Sequence, residues 1–160
     1  MLTWNKSFDF AEVISAMKAR PVMSIEKYFW KTLPKENLSG WHADNLKNYK
    51  TQFPDKMFPD LQQNAHKRPR CETKDQCLQT LTTASGKIWS RARQRALHPC
   101  EALATHMLPV TTKQSVTCGS PSLAIQGISD NQLTKMAGNC MNVCNMGAVI
   151  LACLFCLDAN

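Results

Sequence analysis

Two short stretches carry residue types from which chemistry could be built. In "HPCEA", residues 98–102, a cysteine stands between a proline and a glutamate. In "KIWSRARQR", residues 87–95, Arg91, Arg93 and Arg95 occupy alternate positions. A cysteine attacks only as the thiolate, so a nucleophilic role needs surroundings that lower its pKa. A helix N-terminus supplies one such influence, and Pro99 suits the first position of a helix. A first helical turn is nevertheless not a loop at a strand's end, and Cys100 reads as structural. The arginines suit a different task. Along an extended strand they would point one way together with Trp89, and a row of guanidinium groups can track phosphates. Arg91 and Arg93 are therefore the candidate nucleic-acid contacts. The plain alternative is a solvated edge strand protected by its charges.

Eight cysteines stand at 71, 77, 100, 118, 140, 144, 153 and 156. Cys140 and Cys144 could share one helical face, as could Cys153 and Cys156. Structural zinc takes its ligands from loops and knuckles rather than from one apolar helix, and the closest histidine in sequence is His106. Free cysteine behaves as a small, readily buried hydrophobe, so no metal is expected. Residues 1–20 include Asp9 and Glu12 and have no continuous apolar run of the signal-peptide kind. The expectation is an intracellular protein with reduced thiols.

The net charge is +7, and it is unevenly placed. Lys and Arg outnumber Asp and Glu 9 to 7 over residues 1–60 and 8 to 2 over 61–95, but are outnumbered 2 to 3 over 96–160. Such a basic middle suits contact with phosphates, or simply a solvated loop. With 44% hydrophobic and 19% charged residues the chain is of globular composition.

Several elements must position these residues. Phe10, Val13, Ile14 and Met17 follow the helical period, with Asp9 ahead and Pro21 beyond. "SIEKYFWKTL", residues 24–33, reads as a helical turn or two capped by Ser24. Over residues 34–76, Pro34, Gly40, Pro54, Pro59 and Pro69 interrupt any apolar period, and an irregular segment is expected. Thr80–Thr83 and Ile88–Trp89 favour strands joined by a turn at Ser85-Gly86. A helix starts at Pro99, residues 110–128 read as turns, and another helix runs from the N-cap Ser129 to Gly138 in a left-handed C′ position. The last helix, about residues 141–157, is apolar over Met146–Leu157. That is short of the ~20 residues of a membrane span, so a helix buried against a sheet is expected, or an exposed sticky one without it.

Taken in order, two of these stretches resemble the C-terminal part of the cytosine-5 DNA methyltransferases. "RALHPCEALATHMLP", residues 95–109, is similar to the family's ninth motif, with Arg95, Leu97, His98, Pro99, Glu101 and Pro109 in register. "TLTTASGKIW" resembles the threonine-rich lead-in to it. "QLTKMAGNCMNV", residues 132–143, is similar to the final motif, a short helix ending in Gly-Asn followed by a second helix. The resemblance covers about residues 78–157. It implies an α/β family fragment, S-adenosylmethionine as cofactor, and cytosine in DNA as substrate. It implies further that Asn139, Cys140 and Met141 line the cofactor site, and that DNA-directed action would be nuclear. Methylation at carbon 5 needs a thiolate attacking carbon 6 and a flipped base. No Gly-rich first loop and no Pro-Cys loop with a downstream Glu-Asn-Val occur in these 160 residues. The expectation is a partial or remnant methyltransferase, inactive alone, with DNA and a chain that supplies the catalytic part as its partners. A non-catalytic basic nucleic-acid-binding or docking module is the alternative. His106-Met107-Leu108 stands where the family has Gln-Gly-Phe, and Met resists the positive φ that Gly accepts. The expected organisation is a short helical segment over 1–33, an irregular segment over 34–77 and the methyltransferase-like region over 78–157. The chain should be mostly helical with a small β-hairpin.

Overall fold

The computed structural model describes residues 2–4, 11–12, 15, 23–73, 77–83, 87–141 and 143–159. They fall into two units, residues 1–22 with 141–160, and residues 23–140. In the smaller unit, strand β1 (Leu2–Trp4) pairs antiparallel with β4 (Leu157–Ala159), Leu2 facing Ala159 and Trp4 facing Leu157. Ala11, Glu12 and Ser15 are helical. Phe10, Val13, Ile14 and Met17, which set that helical period, lie outside the described residues.

The larger unit is mostly helical with one small hairpin, as the sequence leads one to expect. Ser24 caps a 3-10 helix, Ile25–Tyr28, its hydroxyl accepting the Glu26 N–H at 3.4 Å. Helix α1 (Gly40–Gln52) follows. Strands β2 (Trp89–Ser90) and β3 (Arg95–Ala96) form the hairpin. Helices α2 (Pro99–Thr105), α3 (Thr112–Cys118) and α4 (Asp130–Asn139) complete the unit.

The hairpin lies downstream of its expected position, with residues 91–94 as its turn and Trp89 opposite Ala96. Thr80–Thr83 are not a strand, and Ser85-Gly86 lie outside the described residues. What pairs with β2 on its other side is the segment 57–61. Trp89 donates to the Pro59 carbonyl (2.9 Å), Leu61 to Lys87 (2.8 Å) and Arg91 to Met57 (3.0 Å), and Asp60 bridges Ile88. A partner distant in sequence thus satisfies an edge that a local hairpin would have left to water.

Of the stretch expected to be irregular, residues 34–73 hold the 13-residue α1 and contribute to the core. Its apolar period was masked because an inward position of α1 is Asn45, 2% exposed. Asn45 donates to the carbonyls of Leu61 (3.0 Å) and Gln63 (2.7 Å) and accepts the Ala65 N–H (3.2 Å). Tyr49, one turn on, donates to Gln63 and accepts from the Arg70 N–H. The Glu72 carboxylate takes the N–H groups of Met57 (2.7 Å) and Phe58 (2.8 Å). Buried polar groups thereby replace secondary structure as the partners of this loop's backbone.

Two apolar clusters form the core of the larger unit. Ile25, Phe29, Ile88, Leu103, Leu133 and Ala137 belong to the first, where α2 packs on α4. Tyr49, Leu61, Ala65, Trp89 and Ala96 form the second under α1. Burying one leucine such as Leu103 contributes about 1.5–3 kcal/mol.

Helices α2, α3 and α4 start on side-chain caps, whereas Ser39 ahead of α1 makes no such bond. His98 and Glu101 form a capping box on α2, Thr111 and Gln114 one on α3, and Ser129 and Gln132 one on α4. Residues 110–128, read as turns, therefore include a helix, closed by Gly119 at φ +61°. The last helix, α5 (Val143–Cys156), leads directly into β4 in the smaller unit. Met146, Val149, Ile150, Leu151 and Leu154 are exposed along it rather than buried. Among the described residues no helix is long and apolar enough to cross a membrane.

Candidate functional site

The residues singled out in the sequence sit at the hairpin turn, at the start of α2 and at the end of α4, with Met141 in the smaller unit. Three arginines at alternate positions would line up only on a strand, and here residues 91–94 are a turn. The expected row is therefore absent, and each guanidinium finds acceptors in a different direction. Arg91 donates to the carbonyls of Phe53 and Pro54, both at 3.0 Å, where α1 ends. Arg93 pairs with Glu26 at 2.7 Å. Arg95 is buried. Its two terminal nitrogens grip both Glu101 oxygens (2.6 and 2.8 Å) and donate to the carbonyls of Trp30 (2.7 Å) and Ala96 (2.9 Å). Its guanidinium carbon also stands 5.0 Å from the centre of the Phe29 ring.

Glu101 is fully buried and does more than neutralise Arg95. It accepts the N–H of Trp30 and, at 2.8 Å, that of His98, so one carboxylate ties the 3-10 region, the hairpin and the start of α2. A buried carboxylate is tolerable only with such complete pairing. Cys100 precedes Glu101 in the same helical turn. Burial pushes its thiol above the ordinary range, and the charges of Asp130 and Glu101 add to the rise. The favourable helix end is outweighed, and a thiolate is not stabilised there. Cys71, half-buried beside Glu72, is pushed up to about 11, again chiefly by burial.

At the end of α2 the chain turns through His106, Met107 and Leu108. Met107 adopts φ +63°, the left-handed conformation that glycine accepts without strain. A methionine thus makes a turn of the kind that glycine makes without strain. His106 lies beneath α4. Burial lowers its pKa, and a hydrogen bond to the Ala137 backbone acts in the opposite sense.

Gly138 is not the left-handed C′ residue expected. It lies inside α4, whose last residue is Asn139, and a β-carbon there would stand 2.3 Å from backbone atoms of Thr82 and Thr83. Close approach of another segment, not a turn, is what requires glycine. The segment that approaches is the threonine-rich lead-in.

Of the three candidate cofactor residues, Asn139 is exposed at the C-terminal end of α4. It closes α4 rather than opening α5, which begins at Val143. Such an end presents carbonyl groups and negative potential, so it suits hydrogen-bond donors better than a carboxylate. Cys140 is half-buried against the first core cluster, its N–H on the Ala137 carbonyl at 3.3 Å. Met141 is 66% exposed and falls in the other unit.

Sequence reading passed over the exposed turn His66–Lys67–Arg68, whose backbone is held by Asn64: its side chain accepts the N–H groups of His66 (2.9 Å) and Lys67 (3.0 Å). Its signal was the charge excess of residues 61–95. Among the described residues no cluster of three or more His, Cys, Asp or Glu could hold a metal ion. Comparison with protein-family models, with curated proteins and with solved structures gave no match.

Proposed function

We propose that this chain is a partial or remnant cytosine-5 DNA methyltransferase, carrying the ninth- and tenth-motif portion and without methyl-transfer activity alone. The observation that carries the reading is Met107. The backbone takes a glycine's conformation at the position where the family has glycine, although this sequence supplies a residue that resists it. Two further features support it. Within the larger unit the lead-in segment lies against the Gly138 helix and the Pro99 helix packs on it too, while the helix that follows the final motif belongs to the smaller unit. The motif's Arg95 and Glu101 are each other's buried partners.

In this reading S-adenosylmethionine would meet the end of α4. Asn139 and the free carbonyls beside it would face donor groups of the ligand, such as its amines. The nucleophile would come from elsewhere, because a thiol raised by burial attacks poorly. The full chain, titrated with S-adenosylmethionine and followed by amide NMR, should show shifts at Asn139 and Cys140 with affinity no better than about 1 mM. Asn139→Ala should remove them. Absence of any shift in the wild-type chain at saturating ligand overturns the cofactor reading. Radiolabelled methyl transfer to a cytosine-containing duplex by the chain alone overturns its inactivity.

A non-catalytic nucleic-acid-binding module is the second reading, favoured by the exposed Lys67 and Arg68 rather than by Arg91 and Arg93, which have internal partners. Replacing both by Gln should lower the salt dependence of duplex binding by about two ion equivalents. Unchanged binding removes this reading.

A further inference from the structure

A cavity of about 260 Å³ opens between the segment 36–38, α1 and the start of the hairpin turn. It is separate from the end of α4, and nothing in the methyltransferase reading uses it. Leu38, Leu46 and Trp89 line it, all of them members of the second core cluster or packed against it. Lys50 stands one helical turn beyond Leu46 on the same face, and Arg91 completes the rim.

The charges around this cavity do not balance. Its acid, Glu36, is committed elsewhere: one oxygen pairs with Lys87 at 3.3 Å, and the other accepts the Ala96 N–H at 3.2 Å. Lys50 forms no ion pair among the described residues. Arg91 spends its two terminal nitrogens on neutral carbonyls, and its Nε is buried with no hydrogen-bond partner. The wall therefore combines apolar surface with two cations that no carboxylate in contact neutralises. The Phe53 and Pro54 carbonyls hold the Arg91 side chain, so its positive charge is fixed at the rim of the cavity.

We infer that this cavity binds a small aromatic anion, one flat ring bearing a carboxylate or a phosphate. Size sets the ring count, since drug-sized ligands occupy pockets of roughly 300–1,000 Å³ and this cavity lies just below that range. The apolar side receives the ring, Lys50 receives the anionic group by charge-assisted hydrogen bonds, and the Arg91 guanidinium at the rim adds positive potential beside it.

The test is an NMR titration of the full chain with benzoate and phenyl phosphate, with benzyl alcohol and inorganic phosphate as controls. At least one aromatic anion should shift the Trp89 indole N–H and the Leu38 amide, and the better of the two identifies the anionic group. Both controls should bind at least about tenfold more weakly, the loss expected for one charge-assisted contact. Lys50→Gln, a change at an exposed position, should weaken the anion by a similar factor. Leu46→Trp should fill the cavity and abolish the shifts. Failure of both anions to shift Trp89 at about 10 mM, where even the weakest specific sites fill, overturns the inference. Equal binding of benzyl alcohol, or an unchanged affinity in Lys50→Gln, overturns it as well.

Discussion

The two halves of the larger unit are held together by different physics. Around α2 and α4, apolar side chains at helical spacing meet across an interface, and capping boxes close the helix starts. Around α1, the loop 53–73 has almost no regular structure, and Asn45, Tyr49 and Glu72 act as partners for its backbone. The first arrangement spreads its stability over many weak contacts. The second concentrates it in a few side chains, each of which satisfies two or three groups that would otherwise be buried unpaired.

That contrast can be broken at its exception. The Arg95–Glu101 pair lies in the apolar half but behaves like the polar one. Glu101→Ala strands a buried guanidinium and should cost about 3–5 kcal/mol, read by chemical denaturation. Substituting both partners with apolar residues should recover much of that loss. A smaller loss for Glu101→Ala than for Asn45→Ala would put the concentrated stability wholly in the other half.

Asn45→Ala should cost about 2–3 kcal/mol, because it leaves the Leu61 carbonyl and the Ala65 N–H without partners and takes one of two donors from the Gln63 carbonyl. Hydrogen exchange should show the loss confined to residues 61–65; protection lost equally across α2 and α4 would mean that the halves do not differ in this way. Gly138→Ala should destabilise by about 1–3 kcal/mol through overpacking against Thr82–Thr83. A stabilisation there, the usual result of Gly→Ala in a helix, would mean that the lead-in segment does not lie on α4.

Met107→Gly should stabilise the chain by about 1 kcal/mol. Relief of left-handed strain outweighs the greater entropy of glycine in the unfolded chain. A higher denaturation midpoint with an unchanged slope is the expected outcome.

The smallest effect is pH-dependent and belongs to the α1 half. Burial raises the pKa of Asp60 above its ordinary 3.8, only partly opposed by the Gln62 N–H and by Arg70 at 3.9 Å. Since the unfolded chain loses that proton first, stability falls as pH rises from about 3.8 through the folded value. Asp60→Asn should therefore be more stable than wild type at neutral pH, with the gain disappearing as pH falls below that window.

The same contrast explains what could be read in advance. The 3-10 turn after Ser24, the Pro99 helix and the helix after Ser129 were legible because their caps and apolar spacing are local. The helix Gly40–Gln52 was not, because its inward position is an asparagine whose partners lie 16 to 20 residues on. The helix Thr112–Cys118 was missed because none of its residues is buried, so no apolar period marks it. At the candidate site, the resemblance pointed to Gly138-Asn139 and the structure gives Gly138 a reason, close approach by Thr82–Thr83. The arginine row failed for a similar cause. Alternation in sequence becomes alignment in space only on a strand, and residues 91–94 turn.

What the sequence by itself determined is the mostly helical character and the starts of three elements, the turn after Ser24, the helix at Pro99 and the helix after Ser129. These depend on neighbours within a few residues, so local physics suffices. Only the tertiary structure decided which segment pairs with Trp89, why position 138 excludes a side chain, and that Met107 turns like a glycine. It also decided that Arg91 and Lys50 share a cavity with Trp89. Each of these sets a backbone or a charge against a partner far along the chain, and the energy that selects it does not exist until both are in place.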